Sequence, residues 1–244
     1  MAALPPGLVE ALRGARRVVA LPGSGISAAS GVPTFRDAQT GLWSSYDPLE
    51  LAPPEAFDRD PELVWRWYAW RRGLVESARP NAGHRALADL ERRAPAFSIV
   101  TQNVDGLHQE AGSSNVVELH GNIRRSRCPA EDVSVEPEVT EYLPPLCPNC
   151  GSPLRPDVVW FGEALPAGGL RVASEAARSC DVFLSVGTSG LVYPAASLPY
   201  EALEAGAVLV EINPDPTPLS AHADFVVQGR AGDVLPRLVG AAFG

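Results

Sequence analysis

Two glycines after a short apolar run have the type and spacing that phosphate binding requires. Residues 18–21 read Val-Val-Ala-Leu, which predicts a buried strand, and Gly23 and Gly25 follow it. Glycine lets the backbone turn sharply and approach a ligand closely. A helix capped by Ser27 or Ser30 would then present free backbone N–H groups to a phosphate. This stretch therefore predicts a pyrophosphate-binding loop of the kind that holds dinucleotides.

Polar residues also follow other apolar runs. Five more strands are predicted, at residues 97–101, 116–119, 181–186, 208–212 and 224–227. Helical patterns between strands predict crossover helices, at residues 171–178, 195–205 and 231–242. Polar side chains stand just past the strands, at Gln102, Asn103, His120, Thr188, Ser189 and Asn213. Open parallel sheets bind ligands at the carboxyl ends of their strands, so we expect these side chains to share one site.

The remaining segments divide into helices, a loop and a module that contains cysteine. The spacing of apolar residues predicts helices at residues 6–14 and 61–77, and Asn81 is expected to cap a third helix. Residues 38–56 are rich in proline and aromatic residues and have no period, so a mobile loop is expected there. Residues 121–157 hold three of the four cysteines and also lack a helical period, which indicates an inserted module.

The composition is that of an ordinary globular protein with an acidic balance. The 244 residues are 45% hydrophobic and carry a formal net charge of −9, which argues against non-specific nucleic-acid binding and favours basic partners. No apolar run approaches the roughly 20 residues that cross a membrane, and no secretion signal is visible. We therefore expect a cytoplasmic monomer that binds neither membrane nor nucleic acid. The chain is rich in arginine, alanine and proline and has no lysine, which suggests a bacterial source with a GC-rich genome.

Five motifs occur in a characteristic order along the chain: Pro33-Thr34-Phe35-Arg36, Thr101-Gln102-Asn103-Val104-Asp105-Gly106-Leu107-His108, Glu118-Leu119-His120-Gly121-Asn122, Gly187-Thr188-Ser189 and Ile212-Asn213-Pro214. This set resembles the sirtuin family, the NAD-dependent protein lysine deacylases, from about Val18 to Leu238. The resemblance implies an α/β fold, a Rossmann-like doubly wound parallel sheet with a smaller inserted helical and zinc-ribbon-like module. The implied division is an NAD-binding domain at residues 1–37, 81–120 and 158–244, a helical part at 38–80 and a cysteine-bearing part at 121–157.

The resemblance also implies roles for the residues at the strand ends. His120 would be the general base that takes a proton from a ribose hydroxyl, because a histidine pKa lies near working pH. Asn103 would orient a water molecule and the ribose hydroxyls, and Asp105 would accept a hydrogen bond from the nicotinamide carboxamide. NAD contacts are expected from Gly23, Ser24, Gly25, Phe35, Arg36, Gln102, Asn103, Asp105, Gly187, Thr188, Ser189, Asn213 and Ala231.

Two segments match the strands with which the family clamps an acylated peptide. Val159 and Phe161 belong to the first segment, at residues 158–163, and Tyr193 belongs to the second, at residues 190–194. Both would bind mainly through main-chain hydrogen bonds, a mode that tolerates many substrate sequences. The target protein therefore cannot be identified from these residues.

Three residues match the sirtuin class that removes succinyl, malonyl and glutaryl groups. Tyr68 and Arg71 are spaced i, i+3 and share a helix face, and Ala52 matches the small residue that widens the acyl pocket. In an arbitrary helix, an aromatic packing residue beside a solvated arginine would be the simpler interpretation. In this class, Arg71 would hold the acyl carboxylate with two N–H donors while Tyr68 adds a hydroxyl bond. Succinyl- or malonyl-lysine is therefore expected to be preferred, with acetyl-lysine also accepted.

The family's zinc module carries two Cys-x-x-Cys pairs, of which this chain keeps only part. Cys147 and Cys150 form an intact pair, whereas Cys128 stands alone with Glu131 where its partner would be. A structural Zn²⁺ takes four tetrahedral ligands. Either Glu131 or Asp132 would supply the fourth ligand through oxygen, or the metal would be weakly bound or absent.

The expected reaction moves an acyl group from lysine to ADP-ribose and releases nicotinamide and free lysine. One alternative is a mono-ADP-ribosyltransferase that uses the same site on another nucleophile. A second is a catalytically silent protein that senses NAD. The presence of His120, Asn103 and Asp105 argues against the silent protein.

Overall fold

The computed structural model describes residues 4–33, 47–135 and 142–244. Within these ranges the α-helices are α1 (Pro6–Gly14), α2 (Pro48–Leu51), α3 (Pro54–Arg59), α4 (Pro61–Ser77), α5 (Ala82–Arg93), α6 (Leu107–Glu110), α7 (Ala167–Ser179), α8 (Leu198–Glu204) and α9 (Ala231–Phe243). The strands are β1 (Arg17–Pro22), β2 (Ala96–Thr101), β3 (Val116–Glu118), β4 (Gly121–Cys128), β5 (Val133–Val135), β6 (Arg155–Val158), β7 (Val182–Val186), β8 (Val208–Asn213) and β9 (Phe225–Gln228). None of the described helices has both the length and the apolar character needed to cross a membrane.

The larger sheet has six parallel strands among the described residues, in the order β3-β2-β1-β7-β8-β9. This order is doubly wound, because the chain starts in the middle of the sheet and builds outward in both directions. Apolar side chains of α1, α5 and α9 cover one face, and those of α7 and α8 cover the other. Burial on both faces explains why the strands are continuous apolar runs. The predicted fold class is confirmed, and all the carboxyl ends meet at one edge.

The smaller sheet is antiparallel, with β4 between β5 and β6. Val64 and Trp67 of α4 pack with Ile123 of β4 and with Trp160, which follows β6. This apolar cluster joins the helical segment before α5 to the segment that follows β3, although the two are far apart in sequence. The predicted inserted module therefore contains a sheet, and it packs against α4.

Most predicted elements are present at close to their predicted bounds, but the helix expected after the glycine loop is not. Two 3-10 turns, Ser24–Ile26 and Ala28–Ser30, occupy this position, and no α-helix follows them among the described residues as far as Pro33. Ser27 is not a side-chain cap, because its hydroxyl donates to Asp105 Oδ2 at 2.7 Å. The prediction was wrong because it used a local rule for a serine whose hydrogen-bond partner is distant in sequence.

The loop expected at residues 38–56 is helical in the part that the structure describes. Both α2 and α3 begin with a proline, which is well tolerated at the first turn of a helix. The other residues of that segment lie outside the described ranges, as do the predicted NAD-binding residues Phe35 and Arg36.

The loops after β1 and β7 are in direct backbone contact. The Gly25 N–H donates to the Gly187 carbonyl oxygen at 2.9 Å. A Cβ on Gly25 would lie 2.7 Å from that oxygen, and one on Gly187 would lie 2.7 Å from the Ile26 nitrogen. Gly187 also has a φ of +58°, which L-residues with side chains rarely adopt. These glycines are therefore required first by the contact between two loops of the chain itself.

Gly187→Ala should destabilise the protein more than Gly190→Ala, which serves as a matched control. Gly190 has a similar φ of +66°, but a Cβ there would meet no atom within 4 Å. We expect a loss of about 1–2 kcal/mol for the control from backbone strain. For Gly187→Ala, overpacking adds about 1–3 kcal/mol. Equal losses in urea denaturation would show that the loop contact does not limit stability.

Candidate active site

A cavity of about 250 Å³ opens at the carboxyl edge of the larger sheet. It brings together predicted residues from distant parts of the chain: Gly23, Ser24, Ala52, Tyr68, Arg71, Gln102, Asn103, His120, Val159, Phe161, Thr188, Ser189 and Tyr193. One wall comes from the strand ends, and the opposite wall comes from α4 and the segment after β6. The cavity therefore lies between the two sheets.

A second cavity, of about 460 Å³, adjoins the first. Gly25, Gly187 and Asn213 line it, and Ser24, Thr188 and Ser189 line both cavities. The Thr188 loop is fixed from both sides. Gln102 Nε2 donates to Thr188 Oγ1 at 2.9 Å, and Asn213 Nδ2 donates to the Thr188 carbonyl oxygen at 3.0 Å. The two cavities together form an elongated site with a shared wall of hydroxyl groups.

His120 follows β3 and is oriented by one backbone hydrogen bond. Its Nδ1 lies 2.9 Å from the Gln102 carbonyl oxygen. A carbonyl only accepts, so Nδ1 carries the proton in this bond and Nε2 keeps its lone pair in the neutral ring. Burial lowers the pKa of His120, while the hydrogen bond to Gln102 works in the opposite direction. The ring is therefore set up to accept a proton at neutral pH.

Asn103 is 7% exposed, and its amide is held against the glycine loop. Its Nδ2 donates to the Gly23 carbonyl oxygen at 3.1 Å and to Ser27 Oγ at 3.3 Å. Both amide hydrogens are thus directed at the β1 loop. The side-chain oxygen is the atom of Asn103 that stays available to a ligand or a water molecule.

Asp105 is buried and does not line either cavity. Its Oδ2 accepts from Ser27 Oγ at 2.7 Å, and its Oδ1 accepts from the Leu107 N–H at 2.9 Å. The Ser27 hydroxyl also lies 3.3 Å from His84 Nε2. Burial lowers the pKa of His84 to about 4, against the opposing influence of Asp105. Asp105, Ser27 and His84 therefore form a buried hydrogen-bond network. Sequence reasoning missed it because Ser27 is 57 residues from His84 and 78 residues from Asp105.

Ala231, the remaining predicted NAD contact, also does not line either cavity. It is the first residue of α9, is 4% exposed and belongs to the apolar cluster that covers one face of the larger sheet. Most of the described members of the predicted set therefore line these two cavities, and Asp105 and Ala231 line neither of them.

The end of the first cavity nearest α4 combines a phenol, a guanidinium and a small residue. Burial raises the pKa of Tyr68 to about 12, so its hydroxyl stays protonated and can donate. Burial lowers the pKa of Arg71, whose guanidinium carbon lies 4.9 Å from the centroid of the Trp67 ring. Ala52 is 2% exposed and adds little bulk. An anionic group bound here would offset the cost of burying the Arg71 charge.

The cysteine module brings four donor side chains together. The ligand atoms of Cys128, Glu131, Cys147 and Cys150 all lie within 4.8 Å of one another. Glu131 Oε2 is 3.7 Å from Cys147 Sγ, whereas the Asp132 carboxylate pairs with an arginine on β4. Three thiols and one carboxylate are ligands that Zn²⁺ accepts. Of the two candidates for the fourth ligand, the geometry therefore favours Glu131.

Comparison with known proteins gives consistent matches over almost the whole chain. The model of the Sir2 family matches residues 23–194. A protein named NAD-dependent protein deacylase 2 from Pyrobaculum aerophilum is 56% identical over 233 residues, which cover 95% of this chain and 93% of that protein. NAD-dependent protein deacylase 1 from Pseudomonas aeruginosa is 52% identical over 245 residues, which cover 97% and 98% of the two chains.

Solved structures agree with these matches. A Sir2 homologue in complex with NAD superposes with a TM-score of 0.92 at 47% identity, covering 99% of this chain and 94% of that one. A Sir2 protein bound to an acetylated peptide superposes with a TM-score of 0.86 at 31% identity, covering 96% of both chains.

Proposed function

The chain belongs to the Sir2 family, and from that membership we propose that it is an NAD-dependent protein lysine deacylase. The proposal rests on the state and position of His120. Its Nε2 carries no proton in the neutral ring, and the residue lines the first cavity, which adjoins the second, larger one. Deacylation needs a base beside a ribose, and this histidine is neutral and oriented. The relatives named as deacylases and the Sir2 homologue with NAD support the same reaction.

The two adjoining cavities fit NAD by the chemistry of the donors that line them. Ser24, Thr188 and Ser189 offer hydroxyl groups to both cavities, and Asn213 lies in the second. We assign the second cavity to the adenosine half and the first to the nicotinamide ribose. When bound, NAD supplies a glycosidic bond to nicotinamide whose cleavage exposes a ribose carbon to the acyl oxygen.

The chain's own residues would then position the reactants and move one proton. Asn103 holds the ribose hydroxyls through its side-chain oxygen, because its amide hydrogens are already used by the glycine loop. His120 Nε2 takes the proton from a ribose hydroxyl, and the bond from Nδ1 to Gln102 stabilises the charged ring. Asp105 supports Asn103 through the shared Ser27 hydroxyl.

The acylated peptide would lie between the segment after β6 and the segment after β7. Phe161 and Tyr193 are 43% and 70% exposed and line the first cavity, as does Val159. The Sir2 structure with an acetylated peptide supports a peptide substrate. We infer that the peptide adds as a strand here and inserts its acyl-lysine into the cavity.

We further propose that the enzyme prefers acyl groups that end in a carboxylate, such as succinyl or malonyl. Tyr68 and Arg71 share one face of α4 and line the first cavity, with Ala52 leaving space beside them. A carboxylate would pair with the partly buried guanidinium, whereas an acetyl group carries no charge to pair with it. Zn²⁺ would be held outside this site, by Cys128, Cys147, Cys150 and Glu131.

Incubation of an acyl-lysine peptide with NAD, followed by mass spectrometry, tests the reaction and the role of His120. Loss of the acyl mass is the expected result, whereas a gain of ADP-ribose would indicate the transferase alternative. His120→Ala should leave the fold intact and lower the rate by about 10²–10⁴. Because the base must be neutral, the wild-type rate should still be maintained at pH 6.5 and should fall only as the pH drops through the His120 pKa, which burial places below 6.5. Near-normal turnover by the variant would assign the base to another residue.

Arg71→Met should lower turnover of succinyl-lysine at least about ten-fold, since a charged hydrogen bond contributes about 1.5–3 kcal/mol. Acetyl-lysine turnover should stay nearly unchanged. Arg66→Met is the matched control, because Arg66 lies on the same helix with its side chain 60% exposed and paired with Glu62. Equal losses on both acyl groups would show that Arg71 supports the fold only.

Purified protein should contain one zinc ion per chain by elemental analysis, and chelation should lower the melting temperature. Glu131→Ala should weaken zinc binding at least about ten-fold because a ligand is lost. Asp132→Ala should leave zinc affinity unchanged, because its carboxylate contacts Arg127 instead. Stable, active protein without zinc would refute the metal assignment, and equal effects of the two variants would refute the role of Glu131.

A further inference from the structure

The indole of Trp160 packs against the Arg155 guanidinium and two aromatic rings. The residue is 4% exposed. The Arg155 guanidinium carbon lies 3.4 Å from the centroid of the indole, and the Phe57 and Tyr68 rings lie 5.4 and 6.3 Å from it. Arg155 is fixed in turn, because both its terminal nitrogens donate to the Glu163 carboxylate. These contacts restrict the indole to one orientation.

The indole Nε1–H is buried and makes no hydrogen bond with any described residue. The backbone N–H of Trp160 is satisfied by Glu163 Oε2 at 2.8 Å, so only the side-chain donor is left. A buried indole N–H usually finds an acceptor, and an unsatisfied donor is costly. An unsatisfied buried donor calls for an explanation, and this one belongs to a residue that lines the first cavity.

The Tyr68 phenol packs beside this donor, with the centroids of the Tyr68 and Trp160 rings 6.3 Å apart. Both the Arg71 charge and the Trp160 indole lower the pKa of Tyr68 against the effect of burial. A hydrogen bond donated to the phenol oxygen favours the charged form of the phenol and so lowers its pKa. Trp160, Tyr68 and Arg71 also line the same cavity, so the three side chains converge at its acyl end.

We propose that Trp160 is a positioning residue for acyl recognition, whose Nε1–H orients the Tyr68 hydroxyl towards the carboxylate of the acyl group. A phenol oxygen both accepts and donates. When Nε1–H donates to Tyr68 Oη, the phenol proton turns away from the indole and into the cavity. A carboxylate beside Arg71 accepts that proton, and hydrogen bonds linked in this way strengthen one another. The inference rests on the proposed preference for carboxylate-bearing acyl groups, and it adds Trp160 to the residues that would produce that preference.

The test uses the full chain with NAD and matched succinyl- and acetyl-lysine peptides. Trp160→Phe keeps an aromatic ring beside Arg155 and removes the N–H. Site-specific replacement of Trp160 by 3-benzothienylalanine keeps both fused rings and also removes the N–H. This variant is used for the test if the phenylalanine variant does not fold. Tyr68→Phe, alone and combined with each replacement, completes a double-mutant cycle.

Loss of the N–H should raise KM for the succinyl peptide about three- to ten-fold. It should leave kcat, and both constants for the acetyl peptide, within about two-fold of wild type. In the Tyr68→Phe background the same loss should have almost no effect, because the hydroxyl it orients is gone. Equal losses on both peptides, an undiminished loss in the Tyr68→Phe background, or an unchanged succinyl KM would each overturn the role of Trp160.

The Arg71→Met variant separates this inference from the acyl preference on which it rests. If Arg71→Met selectively impairs succinyl turnover while both Trp160 replacements leave it unchanged, only the role of Trp160 is wrong. If wild-type protein does not favour succinyl-lysine and Arg71→Met is not selective, the acyl preference itself is wrong.

Discussion

Backbone contact between the loops after β1 and β7 is the constraint on which the rest of the site depends. Gly25 and Gly187 approach so closely that a Cβ on either would overlap the other loop. This contact places Ser24 and Thr188 on a common wall of both cavities. Parallel strands alone would bring the loops to one edge, but they would not make that edge continuous. The glycines therefore shape the ligand site indirectly, through the packing of the chain against itself.

The second requirement is that the smaller sheet stays fixed against the strand ends. Arg125 on β4 donates to Glu118 on β3 at 2.7 Å and to Asp157 on β6 at 2.8 Å, which ties the two sheets together. The β4 residue Arg124 donates to the Asp105 carbonyl oxygen at 2.9 Å. The Arg125 guanidinium thus bridges strands of the two sheets, and the Arg124 guanidinium joins β4 to the segment after β2. Their combined effect is that His120 and the residues of α4 face one cavity, although they belong to different layers.

The sequence allowed prediction of those features that depend on local patterns. Apolar runs located the six strands of the larger sheet, and Asn81 correctly marked the start of α5. Most candidate residues at the strand ends line the cavities, because a strand end is a position that periodicity can locate. The failure at Ser27 involves a distant partner, because its hydroxyl bonds Asp105 instead of capping a helix. No local rule predicts that a serine will bond a carboxylate 78 residues away.

The two walls of the first cavity divide the chemistry between them. The wall from the larger sheet contributes neutral groups oriented by backbone carbonyls, such as His120 on Gln102 and Asn103 on Gly23. The wall from α4 contributes a partly buried cation, Arg71, whose pKa is lowered by desolvation. An anion bound beside the guanidinium would help to offset the cost of withdrawing this charge from water. Because this charge lies on a different element from His120, the proposed selectivity for the acyl group could change through α4 without disturbing the histidine that follows β3.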